Sequence, residues 1–139
     1  MAKPETLMYQ RLRENLPESC RLTRIESRVG LGIPDCLLAI RNCGFAMLEL
    51  KVVKRGRKVQ LSPHQIAFHL AHAKLQVPTF ILVQYHPPGV AHARGASWLL
   101  YEGEQAQDLY ERGINVEPLA QWPADAIRWH MLIAAILGG

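Results

Sequence analysis

Cysteine is scarce in this sequence, and its spacing excludes two common kinds of small protein. The 139 residues include 3 cysteines, Cys20, Cys36 and Cys43, and no C-x-x-C pair. An odd number without paired spacing argues against a disulfide framework and against a structural zinc site. A reducing cytoplasm, of a bacterium or of a phage-infected cell, is therefore the expected location.

Long apolar runs are also missing. The first ten residues, MAKPETLMYQ, lack the apolar core of a secretory signal, and no segment approaches the ~20 apolar residues that cross a bilayer. The most apolar tail, residues 129–137, predicts a helix that packs, either within the chain or against a second copy. Neither a membrane partner nor an organic cofactor is expected.

The overall composition is that of a folded protein with a basic surface. Hydrophobic residues make up 49% and charged residues 20% of the chain, which is a globular balance and not a disordered one. The length predicts a single domain over residues 1–139. The 16 basic residues exceed the 12 acidic ones, which suits a polyanionic partner such as DNA.

Apolar periodicity and turn residues predict a helix, a three-stranded meander, a helix and a strand, followed by a β/α appendage. The core should span about residues 4–86 and the appendage about 95–139. The predicted helices cover residues 4–16, 62–75, 104–112 and 123–137. The predicted strands cover residues 20–26, 35–40, 45–53, 79–85 and 98–101.

The predicted hairpin brings two acidic residues together. If its turn is centred on Asn42, residues whose numbers sum to 84 face one another, and Asp35 lies opposite Glu49. Such pairs have Cβ atoms about 4.5–5.5 Å apart, and like charges there destabilise a sheet. Lys51 follows on the same face by strand alternation. A Mg²⁺ or Mn²⁺ ion held by Asp35 and Glu49 would remove the repulsion and assist phosphodiester hydrolysis.

Two features limit this hairpin argument when it is taken alone. Glu-x-Lys is common on half-exposed strands, where both side chains simply face solvent. A turn shifted by one residue would also place Asp35 opposite Leu50 and dissolve the cluster. The remaining motifs change the balance between these interpretations.

Several motifs in order resemble those of the PD-(D/E)XK nuclease superfamily. They are Gly-Ile-Pro-Asp at residues 32–35, a hairpin, and Glu-Leu-Lys at residues 49–51 before a helix. The continuation Leu-Ser-Pro-His-Gln at residues 61–65, with an apolar strand ending near Val83, resembles the virus-type replication-repair (VRR-NUC) branch and the related Holliday-junction resolvases. The resemblance covers residues 4–85, and its specificity lies in the combination.

This resemblance implies a fold, a chemistry and a substrate. The fold is α/β, a restriction-endonuclease-like αβββαβ core with a mixed central sheet flanked by helices. The chemistry is Mg²⁺- or Mn²⁺-dependent hydrolysis of DNA, with Asp35, Glu49 and Lys51 carried over as site residues. Branched or junction DNA, a homodimer and a phage source follow from family habit. A general nicking endonuclease and a non-catalytic DNA-binding module are the alternatives.

Other positions extend the candidate site. The family often has a further acidic residue, for which Glu5, Glu14 and Glu26 compete. Gln65 fits both a site role and a capping box with Ser62. Four basic residues that follow Lys51 predict contact with the DNA backbone. They are Lys54, Arg55, Arg57 and Lys58.

The histidines and tryptophans are given ordinary structural roles. His64, His69 and His72 fall on the second predicted helix, where His69 and His72 share a face at three-residue spacing. This pair lacks a third zinc ligand and an HExxH motif, which predicts surface histidines. The three tryptophans, at positions 98, 122 and 129, are expected in the core or at a dimer contact more than as stacking platforms for bases, with a wedge at a DNA junction as the alternative.

Overall fold

The computed structural model describes residues 3–25 and 31–138. The α-helices in this part of the chain are α1 (Pro4–Asn15), α2 (Pro63–Lys74), α3 (Ala106–Arg112) and α4 (Trp129–Ile136). The strands are β1 (Cys20–Arg24), β2 (Cys36–Ile40), β3 (Gly44–Val53), β4 (Thr79–Tyr85), β5 (Ser97–Glu102) and β6 (Ala120–Pro123). None of the described helices is long and apolar enough to cross a membrane.

All six of these strands form one mixed sheet, in the order β1-β2-β3-β4-β5-β6. Neighbouring strands are antiparallel except β3 and β4, which are parallel. A parallel pair needs a crossover connection, and α2 supplies it. The predicted fold class, a mixed central sheet flanked by helices, is confirmed.

The β2–β3 hairpin has the predicted register. Cys36 pairs with Leu48 and Leu38 pairs with Ala46, so the residue numbers of each pair sum to 84. The turn contains Asn42 at φ 61° and is followed by Gly44 at φ 107°. These are residue types that enter positive φ at low cost, which is why the turn forms here.

Helices cover both faces of the sheet, and strand alternation sends β3 side chains to both. Met8 of α1 and Leu132 of α4 belong to one apolar cluster together with Leu48 and Leu50. A second cluster joins α2 and α3 to the opposite face, through residues such as Ile66. The side chains of Glu49 and Lys51 alternate with Leu48 and Leu50, and so belong to the α2 side.

Helix α2 begins as its sequence predicts. The Ser62 side chain accepts a hydrogen bond from the backbone of Gln65, and the Gln65 side chain accepts one from the backbone of Ser62. Pro63 occupies the first turn, where its missing N–H costs nothing. This capping box fixes where α2 starts relative to β3.

The C-terminal part differs from prediction in two respects. The helix expected over residues 123–137 begins only at Trp129, because residues 120–123 instead form β6 against β5 and the amide of Ala124 donates to the Ala96 carbonyl. The expected appendage also continues the central sheet, since β5 pairs directly with β4. Helix α4 packs on this sheet through Leu132, Ile133 and Ile136.

Candidate active site at the carboxyl end of β3

Asp35 is fixed at the start of the hairpin by its backbone and its side chain. Its carbonyl accepts a hydrogen bond of 2.7 Å from the amide of Ile25. Its carboxylate oxygen Oδ2 accepts one of 2.9 Å from the amide of Leu50 in β3. The register of the pairs that follow places Asp35 across from Glu49. The carboxylate is therefore tied directly to the strand that carries Glu49 and Lys51.

The residues before Asp35 lie against the beginning of α2. Gly32 has φ +82°, and a β-carbon built there would lie 2.2 Å from the carbonyl oxygen of His64. Only glycine permits both this conformation and this approach. The Gly-Ile-Pro-Asp motif therefore sets the distance between Asp35 and the capped end of α2.

Glu49 is a buried carboxyl group, with 1% of its surface exposed. Burial, followed by a hydrogen bond with Asp35 and the charge of that neighbour, raises its pKa to about 9, and Lys51 partly offsets the shift. Its oxygen Oε1 has no hydrogen-bond partner among the described residues. Burial and the neighbouring Asp35 therefore favour the neutral form of Glu49 when no cation is bound.

Gln65 connects the carboxyl group to the lysine. Its Oε1 accepts hydrogen bonds from Nζ of Lys51 at 3.1 Å and from the amide of Ser62 at 3.0 Å. Its Nε2 donates to Oε2 of Glu49 at 3.3 Å. The sequence indicated either a cap or a site residue, and one side chain makes both sets of contacts.

His69 contradicts the prediction of surface histidines, because its side chain is fully buried. Its Nδ1 lies 2.9 Å from Oγ1 of Thr79, and its Nε2 lies 4.0 Å from Oε1 of Glu49. Burial lowers the pKa of His69 to about 4, so the contact with Glu49 is not an ion pair at neutral pH. Its position one turn after Gln65, on the same face of α2, was the overlooked signal.

The donor set fits a hard divalent cation. Asp35 and Glu49 offer adjacent carboxylate oxygens, and a cation between them would restore the ionised form of Glu49. Mg²⁺ is commonly bound by one or two carboxylates while it keeps several waters and substrate phosphates as ligands. Among residues 3–25 and 31–138, no group of three or more His, Cys, Asp or Glu side chains is arranged to hold a metal.

The candidates for a third acidic ligand do not complete such a group. Glu5 and Glu14 lie on α1, whose buried residues Met8 and Leu12 pack on the face of the sheet opposite to Glu49. Glu26 lies outside the described residues. The site that the structure assembles therefore consists of Asp35, Glu49, Lys51 and Gln65, with His69 behind it.

The predicted basic loop leaves β3 beside this site. Lys54, Arg55, Arg57 and Lys58 are all exposed. The backbone carbonyl of Arg57 accepts a hydrogen bond from the amide of Ile114. Nη1 of the Arg57 side chain donates to Oδ1 of Asn115. The loop is thus attached to the C-terminal part of the chain.

An open cleft of about 460 Å³ joins the loop to the site. Lys51 and Gln65 line one part of it, and Lys58 and Tyr110 line another. A polyanionic chain lying in this cleft would meet the ammonium groups of Lys51 and Lys58 together.

The remaining aromatic and histidine predictions divide between surface and core. His64 is exposed, whereas His72 is half-buried and stacks on Phe68 with ring centroids 3.9 Å apart. Trp98 is fully buried and contacts Trp129 edge to face. The core role predicted for Trp98 is confirmed.

Comparison with known proteins gives a likeness in structure without one in sequence. No protein-family model matches the chain, and no curated protein sequence matches it. Among solved structures it is similar to Hjc of Archaeoglobus fulgidus, a Holliday junction resolvase from an archaeal hyperthermophile, with a TM-score of 0.52 and 14% identity. The match covers 81% of this chain and 91% of that one. The chain therefore has the restriction-endonuclease-like fold of that archaeal protein.

Proposed function

We propose that this protein is a metal-dependent DNA endonuclease of the PD-(D/E)XK superfamily, with a preference for branched DNA. The observation that carries the proposal is the meeting of Asp35, Glu49 and Lys51 near the end of β3, where Gln65 joins the last two. Two carboxylates and an amine beside a basic cleft are suited to phosphodiester hydrolysis. The VRR-NUC branch remains part of the proposal.

The chain's own residues divide the work. Asp35 and Glu49 would hold Mg²⁺ or Mn²⁺, which supplies charge neutralisation at the scissile phosphate and activation of water. Lys51, held by Gln65 at 3.1 Å, orients the attacking water or binds a phosphate oxygen. Gln65 also restrains the Glu49 carboxyl group through its Nε2.

DNA binding is assigned to the basic loop and its cleft. Lys54, Arg55, Arg57 and Lys58 face solvent immediately after the strand that carries Glu49 and Lys51. Contacts from such residues to phosphates position the duplex and carry little sequence information. Recognition by shape is consistent with this arrangement, and the fold shared with a Holliday junction resolvase supports a branched substrate.

We also propose a homodimer, since two symmetric cuts in a junction need two active sites. The face of α4 formed by Leu132, Ile133 and Ile136 packs within the chain. Any dimer contact must therefore use other surfaces. Sedimentation velocity over a range of protein concentrations tests the oligomeric state.

The function is tested by cleavage of labelled four-way junction, flap, nicked and linear duplex DNA in Mg²⁺, Mn²⁺ or EDTA. Asp35→Asn runs beside the parent protein, and Asp108→Asn, at an exposed position in α3, serves as the matched control. We expect metal-dependent cutting in the parent and the control. The Asp35→Asn variant should still bind DNA, but its cleavage rate should be at least about 100-fold lower because it lacks a carboxylate ligand.

Each result separates the candidate functions. Preference for the junction supports a resolvase, and equal cutting of nicked and linear DNA supports a general endonuclease. DNA binding without cutting under all conditions would indicate a non-catalytic DNA-binding module. Undiminished cutting by Asp35→Asn would overturn the assignment of the site.

A further inference from the structure

Two buried polar atoms face one another without a hydrogen bond. They are Oε1 of Glu49 and Nε2 of His69, which lie 4.0 Å apart, and each lacks a partner among the described residues. A buried polar group without a partner destabilises the folded protein. Two such atoms side by side suggest an interaction that forms in another state of the protein.

Thr79 determines which nitrogen of His69 carries the proton. The Thr79 hydroxyl is buried, and its one side-chain hydrogen bond within the described residues is with Nδ1 of His69 at 2.9 Å. If Nδ1 carried the proton, the hydroxyl hydrogen would have no acceptor. If the hydroxyl donates to Nδ1, its hydrogen is satisfied and the imidazole proton lies on Nε2. The Nε2–H group then points toward Glu49.

Gly103 lies directly against the hydrogen-bonded pair of Thr79 and His69. A β-carbon at Gly103 would lie 2.0 Å from Oγ1 of Thr79 and 3.2 Å from Nδ1 of His69. The turn after β5 therefore packs directly on the Thr79–His69 pair. Since a β-carbon there would clash with Thr79, only glycine lets this turn approach the pair so closely.

We propose that His69 is a positioning residue whose Nε2–H donates to Oε1 of Glu49 in the cation-loaded protein and fixes the orientation of that carboxylate. This inference rests on the proposed metal-dependent function. The 4.0 Å separation must shorten by about 1 Å to form a hydrogen bond. Such contacts in active sites often tighten only when the ligand is bound. Each carboxylate oxygen has two lone pairs, so Oε1 can accept from His69 and still face a cation.

Two substitutions at one position separate this role from a structural one. In His69→Gln the amide nitrogen reaches the place of Nε2 and keeps a donor toward Glu49. In His69→Asn the shorter amide reaches only the place of Nδ1 and keeps the contact with Thr79. Replacing a residue that orients a metal-binding group typically weakens metal binding by roughly 10- to 100-fold. We expect the His69→Gln variant to bind Mn²⁺ about as tightly as the parent, and the His69→Asn variant to bind it about 10-fold or more weakly.

Mn²⁺ binding is measured by calorimetry without DNA, and the Mg²⁺ concentration for half-maximal cleavage is measured alongside. Thermal unfolding checks that each variant is folded. If the Asn variant does not fold, Thr79→Val provides a second route, because removal of the hydroxyl frees the other tautomer and should also weaken Mn²⁺ binding. In the parent loaded with Mg²⁺, imidazole proton–nitrogen NMR correlations should place the proton on Nε2.

The outcomes distinguish the two proposals. Rescue by Gln and weakened binding in Asn support the positioning role. Rescue by Asn and not by Gln, or a proton on Nδ1, overturns it while the nuclease proposal stands. Parent-like Mn²⁺ binding in Gln, Asn and Thr79→Val together overturns it in the same way. A parent protein that neither binds Mn²⁺ nor cuts DNA overturns both.

Discussion

Gln65 and Glu49 are joined across the interface between α2 and β3 by a hydrogen bond of 3.3 Å from Nε2 to Oε2. The same amide group caps the first turn of α2 through Ser62 and holds Lys51. The start of a helix and the polar face of a strand therefore share one side chain. The position of Gln65 in the first turn of α2 therefore also aligns the candidate catalytic residues Glu49 and Lys51.

Replacing Gln65 should decrease both stability and cleavage, whereas replacing its capping partner Ser62 should decrease stability alone. Ser62→Ala removes one half of the capping box, which typically costs about 1 kcal/mol of stability, and should leave cleavage near the parent rate. Gln65→Ala should decrease stability by a similar amount and, in addition, slow cleavage, because Lys51 and Glu49 no longer share a partner. Urea unfolding and cleavage rates measure the two effects. Equal rates for the two variants would reduce Gln65 to a capping residue.

The buried carboxyl group predicts a characteristic dependence of stability on pH. Since the pKa of Glu49 is raised to about 9, the folded protein keeps a proton that the unfolded chain releases above its ordinary pKa near 4.5. Stability contributed by the neutral form is therefore complete below pH 4.5 and is lost as the pH rises toward 9. In EDTA, the parent should lose roughly 1 kcal/mol per pH unit relative to Glu49→Gln over this window.

Urea unfolding of both proteins from pH 5 to pH 9 measures this difference. Glu14→Gln, at an exposed position of α1, is the matched control and should follow the parent at every pH. Added Mg²⁺ should flatten the dependence for the parent if Glu49 helps to hold the cation. Parallel curves for the parent and Glu49→Gln in EDTA would mean that Glu49 is ionised in the folded protein.

Gly32 and Gly89 offer a comparison at the same backbone conformation. Both have φ +82°, but a β-carbon at Gly32 would meet the His64 carbonyl whereas one at Gly89 would meet nothing within 4 Å. Gly89→Ala should cost about 1 kcal/mol from backbone strain. Gly32→Ala should cost a further ~1–3 kcal/mol from overpacking and should slow cleavage by displacing Asp35. Equal decreases in stability would show that the approach to α2 is easily relaxed.

Neutralising the basic loop should change how DNA binding responds to salt. Replacing Lys54, Arg55, Arg57 and Lys58 by glutamine removes up to four positive charges that can pair with phosphates. The slope of log affinity against log salt should fall by about 0.9 for each phosphate that the loop no longer neutralises. Fluorescence anisotropy with a labelled four-way junction at several salt concentrations measures the slope.

A variant with the same charge change elsewhere controls for net charge. Four exposed basic residues outside the loop, Arg13, Arg41, Lys74 and Arg112, can be replaced together. We expect this control to keep most of the parent slope. An unchanged slope in the loop variant, with a reduced one in the control, would place the DNA on another surface.

Local chemistry explains why the arrangement of the candidate site residues could be predicted. The register of the hairpin follows from a turn in which Asn42 takes positive φ, and the start of α2 follows from Ser62, Pro63 and Gln65 within four positions. Both signals depend on neighbours in the chain. The opposition of Asp35 and Glu49 follows from the first signal, and the position of Gln65 follows from the second.

The features that were missed depend on residues distant in sequence. Strand β6 has only four residues, which are too few to show an alternating pattern. It forms because it pairs with β5. His69 is buried because Thr79 and Gly103 meet it from β4 and from the turn after β5. The four-residue spacing from Gln65 places His69 on the face of α2 that carries the candidate site, but only these distant contacts bury it.

The strands lie in the sheet in the same order as in the chain. A strand emerging from the ribosome therefore finds its neighbour already made, and pairing never has to wait for a segment synthesised much later. Asp35, Glu49, Lys51 and Gln65 can all be in place once β4 has been added. The basic loop gains its attachment to Ile114 only afterwards. Assembly of the nascent chain should thus complete the candidate site before the basic loop is anchored beside it.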